Sequence, residues 1–321
     1  MVQMTYVEAI KSAIQEEMRA DDSVFMVGQD IRGAIYPHSK GLVEEFGEDR
    51  IVDTPMSEFG MFGTAFGAAM TGEYRPIVDF MFAACSFCAG ETLMVQLGQQ
   101  YFLHGSQTPV PMVILGACGT GKRLANDHSY IPRAEILHRP GLKYVFPSTP
   151  ADAKGLMASA IRDNNPVFFL YHYDLLMDKG EVPEGQYYIP LGETEVKREG
   201  TDITVLANGL MYKHAMEVAE KLEGEINVEV LDPRSFEPFD LDTLLASLEK
   251  TNHLVIVDED HARCGFAAEV MAQVFEKGFD LLDAPIERVC IENMPIPGGY
   301  MEPTVVPTPE KVEAAIRRVL A

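Results

Sequence analysis

Short apolar runs that alternate with segments of helical spacing constrain this chain more than any other feature. An amphipathic segment over 6–18 is followed by Val24-Phe-Met-Val-Gly. After it come Arg50-Ile-Val-Asp, Pro76-Ile-Val-Asp-Phe-Met-Phe, Pro111-Met-Val-Ile-Leu-Gly, Lys143-Tyr-Val-Phe-Pro and Pro166-Val-Phe-Phe-Leu-Tyr. Helical spacing fills 61–70, about 90–102 and 150–161 between them. Runs that are apolar throughout suit strands buried on both faces, as in a parallel sheet covered by helices. Residues 178–202 turn polar and rich in turn formers, and the alternation then restarts. Strands are expected at 203–207, 227–231, 253–257 and 286–291, and helices at 211–222, 241–249, 267–277 and 309–319. The pattern predicts an α/β chain of two doubly wound domains, 1–185 and 201–321, with a linker over 186–200. A length of 321 residues suffices for two full cores.

A net charge of −23 argues against phosphate-based binding of nucleic acid and against anionic membrane surfaces. No run reaches the about 18 apolar residues that a membrane span needs. The start, Met1-Val-Gln-Met-Thr-Tyr, lacks the basic and apolar regions of a signal peptide. Five cysteines do not suggest a disulfide framework. The expected location is the cytoplasm.

Among chemistry-bearing residues, Glu58 stands where the strand ending at Asp53 gives way to a helix rich in Gly and Ala over 61–70. Small residues there suit a helix packed closely against another backbone. A carboxylate at such a junction can meet a ligand while partly shielded from water; a lone acid there is more often a cap or a solvated loop residue. Gly116-Ala-Cys-Gly-Thr-Gly121-Lys122-Arg123 nearly completes a P-loop, but Arg123 stands where the Mg²⁺-binding hydroxyl belongs and no helical periodicity follows. Leu254-Val-Ile-Val-Asp258-Glu259 adds little, because apolar strands ending in acid are common in α/β sheets. The glycine-rich turn reads instead as a flexible loop that brings Asn126, Asp127 and His128 to a ligand. His128 follows a strand, where ligands of open sheets gather, and an imidazole there can move protons near neutral pH. Cys85-Ser-Phe-Cys88 has redox or half-zinc spacing, yet with no second pair the simpler reading is buried small residues.

These pieces occur in an order that resembles, over essentially the whole chain, the β subunit of the thiamine-diphosphate-dependent decarboxylating component of 2-oxo acid dehydrogenase complexes, within the transketolase-like superfamily. The landmarks are Phe25-Met-Val-Gly-Gln-Asp30, Arg50 through Glu58-Phe-Gly, Asp127-His128-Ser129, His138-Arg-Pro-Gly-Leu-Lys-Tyr-Val and Pro147-Ser-Thr-Pro-Ala-Asp-Ala-Lys-Gly-Leu. Ala160-Ile-Arg-Asp163-Asn-Asn165-Pro-Val and Leu231-Asp-Pro-Arg-Ser-Phe-Glu-Pro-Phe-Asp complete the set.

The resemblance implies a pyrimidine-binding domain followed by a transketolase C-terminal domain. It makes Glu58 the acid that hydrogen-bonds the cofactor's aminopyrimidine, and His128 the active-site histidine for proton or acyl transfer. It implies a potassium-type site at Met112, Ala160, Asp163 and Asn165. It also implies that Mg²⁺ and the diphosphate are held by an α subunit, in an α₂β₂ assembly that can serve a lipoyl acyltransferase core; the Gly-Asp-Gly motif for that task does not occur in this chain.

The chain departs from the family pattern around the pocket. Cys85 replaces the aromatic residue that packs on the pyrimidine, which leaves Phe82 or Phe87 to supply that contact. Gln29, Tyr130 and Asp260-His261-Ala-Arg-Cys264 also differ. The leading expectation is a β subunit acting on a 2-oxo acid or acetoin. The alternatives are a split transketolase-like or acyloin-synthase subunit that forms carbon–carbon bonds, or a non-catalytic partner subunit.

Overall fold

The computed structural model describes all 321 residues. Fourteen strands run in chain order. They are β1 (Val2–Thr5), β2 (Val24–Gly28), β3 (Ile51–Asp53), β4 (Arg75–Phe82), β5 (Val113–Cys118), β6 (Lys143–Val145), β7 (Val167–His172), β8 (Lys179–Val182), β9 (Glu195–Arg198), β10 (Ile203–Ala207), β11 (Val228–Asp232), β12 (Ser235–Glu237), β13 (Leu254–His261) and β14 (Glu287–Ile291). A seven-stranded sheet has the order β12-β6-β7-β5-β4-β2-β3 and a five-stranded sheet the order β14-β13-β10-β11-β9. Both are parallel except at one edge strand each, β12 and β9. Every residue of β5, β7, β10 and β11 is buried, as their continuous apolar runs require.

The linker expected over 186–200 is structured at its C-terminal end, where β9 forms the edge of the second sheet against β11; just before it, β8 pairs antiparallel with β1. The expected domain border is also crossed, because β12 comes from the C-terminal half and pairs with β6 of the first sheet. One apolar cluster of 35 buried residues accordingly runs from Phe62 and Phe80 through Tyr144 and Phe236 to Leu248 and Phe266. The two sheets share a core.

The helix expected over 90–102 forms but is irregular, its backbone staying right-handed helical through π and 3₁₀ turns. A 3₁₀ turn Ala83–Ala89 leaves β4, and a π-turn Thr92–Gln96, a 3₁₀ turn Leu97–Gln99 and a single α-turn Gln100–Leu103 follow. Gly98 explains part of this: a side chain there would come within 2.6 Å of the Pro140 carbonyl, so the backbone seats directly against the 140–142 loop.

The helix Glu58–Met70 buries Met61, Phe62, Ala65, Phe66 and Ala69 against the core. Within the chain, Ala65 and Ala69 are packed, but the glycines do not meet another backbone as expected. Gly63 and Gly67 are exposed, and a side chain at either would touch nothing within 4 Å. The glycines lie on the opposite face from the apolar stripe, so within the chain that face stays open.

Between the sheets, the fully buried Arg133 is paired with the Asp258 carboxylate of β13, and its guanidinium lies 3.9 Å from the centre of the Phe236 ring. Burial raises the Asp258 carboxyl above its ordinary range even against this cation. Removing one partner of a buried pair strands the other without solvation. Arg133→Met is therefore expected to cost about 3–5 kcal/mol in urea unfolding, and Arg133→Met with Asp258→Asn to recover part of that loss.

Candidate functional site

The strand order dictates where chemistry can collect. From β2 the chain steps outward to β3, then returns across β2 to β4 and on to β5. The crevice beyond the carboxyl ends of strands at such a reversal is where open α/β sheets bind ligands. Glu58 follows β3, Phe82 ends β4, Cys85 and Phe87 lie on the turn after β4, and His128 lies in the segment after β5. Four separate pieces of sequence thus reach one rim.

Glu58 opens the helix Glu58–Met70 and is half-buried. The helix N-terminus stabilises a carboxylate in its first turn. Ser57 makes no side-chain cap there, so Glu58 is the only acid in that turn. Its charge is felt by Cys85, whose thiol is pushed up to about 11 by burial first and then by Glu58, with Cys88 and Asp127 adding to it. Glu58 and Asp127 therefore both lie within electrostatic reach of Cys85.

His128 sits on a single helical turn, Asn126–Ser129, with its ring half-buried. The ring meets Phe82 edge to face, centroids 4.0 Å apart at 80°. Phe82 is aimed there by an irregularity in β4. Asp79 accepts from the Met81 N–H at 2.8 Å, Met81 takes φ +64°, and the β4–β5 register shifts between Asp79 and Phe82. A bulge of this kind re-aims the side chains that follow it. Asp79 itself is fixed by the buried His38, whose Nε2 lies 2.8 Å from its Oδ2. Tyr36 and Tyr173 complete an aromatic cluster with Phe82, and the Tyr173 hydroxyl donates to the His128 carbonyl at 2.6 Å. Burial pushes the Tyr36 hydroxyl up to about 12, so it stays protonated.

The glycine-rich turn is not the flexible loop expected, and its amides do not await a phosphate. The Thr120 N–H and hydroxyl donate to Glu259 Oε1 at 2.6 and 2.5 Å, and the Gly121 N–H donates to Glu302 Oε1 at 2.7 Å. Gly119 and Gly121 hold φ near +100°; a side chain on the first would collide with the His172 ring and on the second with the Asp174 carboxylate. Farther along, Ala125 takes φ +66° and ψ −178°, a region nearly confined to glycine that costs on the order of 1–3 kcal/mol. The C-terminal half holds it there. The Gly299 N–H donates to the Arg123 carbonyl at 3.1 Å, and the Ile296 N–H to Asn126 Oδ1 at 3.2 Å.

Glu259 is fully buried. Burial works to raise its carboxyl, but the His172 imidazole 2.8 Å away and the Thr120 donors outweigh it and hold it down at about 2. The sequence offered Glu259 only as an acid closing the apolar run from Leu254 and gave it no role; the further signal was that three acids, Asp258 to Asp260, stand together there, and all three are buried.

The remaining expected residues fall in two places. Phe87 is 40% exposed, with its ring 6.2 Å from that of Tyr130. The Tyr130 hydroxyl donates to Glu135 at 2.6 Å beside a cleft of about 1080 Å³ between the sheets, which His138, Phe236 and His261 also line. Glu58 and His128 lie outside that cleft. Met112 directly precedes β5, and Ala160, Asp163 and Asn165 run from the last turn of helix Pro150–Arg162 toward the start of β7. The Met112 carbonyl accepts from Val167, and Arg75 donates to the Ile161 and Asp163 carbonyls at 3.1 and 3.0 Å. Ala160 is in the last turn of helix Pro150–Arg162, where the Asp163 N–H bonds to Ser159 instead. Cys88 is exposed rather than buried.

Because Glu259 is depressed from its unfolded range, near 4.3, to about 2, its stabilising share is complete above the unfolded value. That share is lost as the pH falls from about 4.3 through about 2. Glu259→Gln is expected to lower the urea midpoint at neutral pH and to flatten its fall across this acid window. Parallel pH profiles for variant and parent would show that Glu259 does not carry this term.

Comparison with known proteins bears on the whole chain. Residues 2–179 match the transketolase pyrimidine-binding domain and residues 192–312 the transketolase C-terminal domain. The chain is 42% identical to acetoin:2,6-dichlorophenolindophenol oxidoreductase subunit beta of Bacillus subtilis (strain 168), across 98% of this chain and 96% of that protein. It is 36% identical to pyruvate dehydrogenase E1 component subunit beta of the same organism, across 100% and 99%. A solved split gene transketolase, an inactive beta4 tetramer, superposes with a TM-score of 0.80 over 99% of this chain and 98% of that one; at 21% identity this is likeness of fold.

Proposed function

The chain belongs to the transketolase-like family of pyruvate dehydrogenase E1 and acetoin oxidoreductase β subunits, and we propose that it supplies the proton-handling half of a thiamine-diphosphate site whose other half lies on an α subunit. The reaction class is decarboxylation of a 2-oxo acid, or cleavage of acetoin, followed by acyl transfer. The observation that carries this reading is the one-sided rim. A carboxylate at a helix start, a histidine held by packing and an exposed aromatic ring lie beyond the strand ends, outside the large cleft between the sheets.

Thiamine diphosphate, when bound, supplies the electron sink for cleaving a bond next to a carbonyl. The residues at the rim fit its aminopyrimidine. Glu58 would exchange a proton with a ring nitrogen, steadied by the helix dipole and partly shielded from water. Phe87 is the freer aromatic for packing on the ring, because Phe82 is already engaged with His128. Cys85 would touch the ring edge beside Glu58. His128 would hold or deliver a proton to the substrate's oxygen or to the acceptor, its ring angle set by Phe82 and its backbone by Tyr173.

The diphosphate and Mg²⁺ belong on the α partner in this reading. The one glycine-rich turn of this chain already has carboxylates on its Thr120 and Gly121 amides, and a diphosphate there would meet the charges of Glu259 and Glu302. An α₂β₂ assembly that hands its acyl group to a lipoyl acyltransferase core follows from the same family pattern. A monovalent cation, potassium by its all-oxygen ligands, would bind the Met112, Ala160, Asp163 and Asn165 carbonyls. The Ala160 carbonyl at the helix end supports this, since helix C-termini leave such oxygens in want of a partner.

Glu58→Gln keeps the shape and removes the proton relay. In the complex with the α subunit, deuterium exchange at the cofactor's reactive carbon is expected to slow by about 10²–10⁴, with the far-ultraviolet spectrum unchanged. Exchange at the parental rate would remove Glu58 from the role.

A further inference from the structure

Cys85 packs on the edge of the apolar core and Cys88 does not, and the proposed chemistry of the rim makes no use of the two as a pair. Both lie on the 3₁₀ turn Ala83–Ala89. In a 3₁₀ helix, residues three apart eclipse one another across a single turn of roughly 6 Å, so the two Cβ atoms stand one above the other. That rise lies within the Cα separation of about 4.4–6.8 Å found in disulfides. Cys88 is exposed and Cys85 half-buried, and the charges of Glu58 and Cys88 both add to the rise that burial gives the Cys85 thiol. No further His, Cys, Asp or Glu joins them as a metal-binding group.

We propose that Cys85 and Cys88 form a reversible dithiol–disulfide pair, oxidised by hydrogen peroxide, that changes the shape of the rim beside Glu58. The exposed Cys88, as thiolate, attacks one peroxide oxygen. The O–O bond breaks, the leaving oxygen departs as water, and Cys88 carries a sulfenic acid. Cys85 then gives up its proton and attacks the Cys88 sulfur. The S–S bond forms, the S–O bond breaks and a second water leaves. Two electrons have passed from the sulfurs to the peroxide, and a dithiol reductant returns them by exchange. Cys85 suits the second, resolving step, because burial and the Glu58 charge keep it protonated until Cys88 has reacted.

The bond cannot close without moving the turn. Eclipsed Cβ atoms one turn apart must approach to about 3.5–4.5 Å. Phe87 lies between the two cysteines, and Phe82 enters the turn while packed on His128. Oxidation therefore shifts Cys85 from its place within reach of Glu58 and moves the adjoining Phe87 with it. The effect on turnover rests on the function proposed above; the chemistry of the pair does not.

The test treats the full chain with hydrogen peroxide, alkylates the remaining thiols and maps the digest by mass spectrometry. The peptide carrying Cys85 and Cys88 is expected to lose the mass of two hydrogens and escape alkylation, with dithiothreitol reversing both changes and Cys88→Ser abolishing them. Both residues still alkylated, Cys88 carried on to sulfinic acid, or Cys85 bonded to a different cysteine would each overturn the pair. In the complex with the α subunit, peroxide should remove most of the turnover, dithiothreitol should restore it, and Cys88→Ser should start at parental turnover and keep it. A disulfide that forms while turnover is unchanged would overturn the link to the rim. An unaffected Glu58→Gln variant would instead overturn the catalytic reading and leave the disulfide result standing.

Discussion

Two neighbouring carboxylates at the end of β13 hold the segment that carries His128 at both of its ends. Glu259 takes the Thr120 amide and hydroxyl, and Asp258 takes the Arg133 guanidinium. Both acids are buried, so each contact forms where charge is poorly screened and an unpaired group would be costly. Between the two anchors the backbone passes through left-handed φ at Arg123 and Ala125. Such geometry persists only where the surroundings over-determine it. The second sheet, which places no residue at the rim, thus acts on the site by fixing the shape of the loop that does.

The same dependence explains what could be read from the sequence. Strands β5, β7 and β10 were legible because burial on both faces demands unbroken apolar runs. β1, β8, β9 and β12 were not, being edge strands of three or four residues with polar positions. The helix expected at 90–102 loses its regularity beside a contact no local pattern contains, the approach of Gly98 to Pro140. Glu58 and His128 stood out because the order of surrounding motifs resembled a family, whereas periodicity alone left them as a capping acid and a loop histidine. Glu259 and Arg133 bond to partners 139 and 125 residues away, and a pairing of that range leaves no mark in local sequence. The cysteine pair was misread for the opposite reason. The buried state usual for the residue type was assumed, and the 3₁₀ turn brings Cys88 to the surface.

The rim is also unfinished as a binding site. Phe59 and Met56 flank Glu58 at 57% and 78% exposure, and the glycine face of the same helix stays open. A ligand against Glu58 would have protein on one side only. Enclosure, which a proton relay needs in order to work apart from bulk water, has to come from another chain.

Calorimetric titration of Mg²⁺ and thiamine diphosphate, first into this chain alone and then into the chain assembled with an α subunit, tests that claim most directly. The account predicts no saturable binding in the micromolar range for the chain alone and tight binding for the assembly. Sub-micromolar binding by the chain alone, worth about 8 kcal/mol or more, would contradict it, because a single wall should not supply that much.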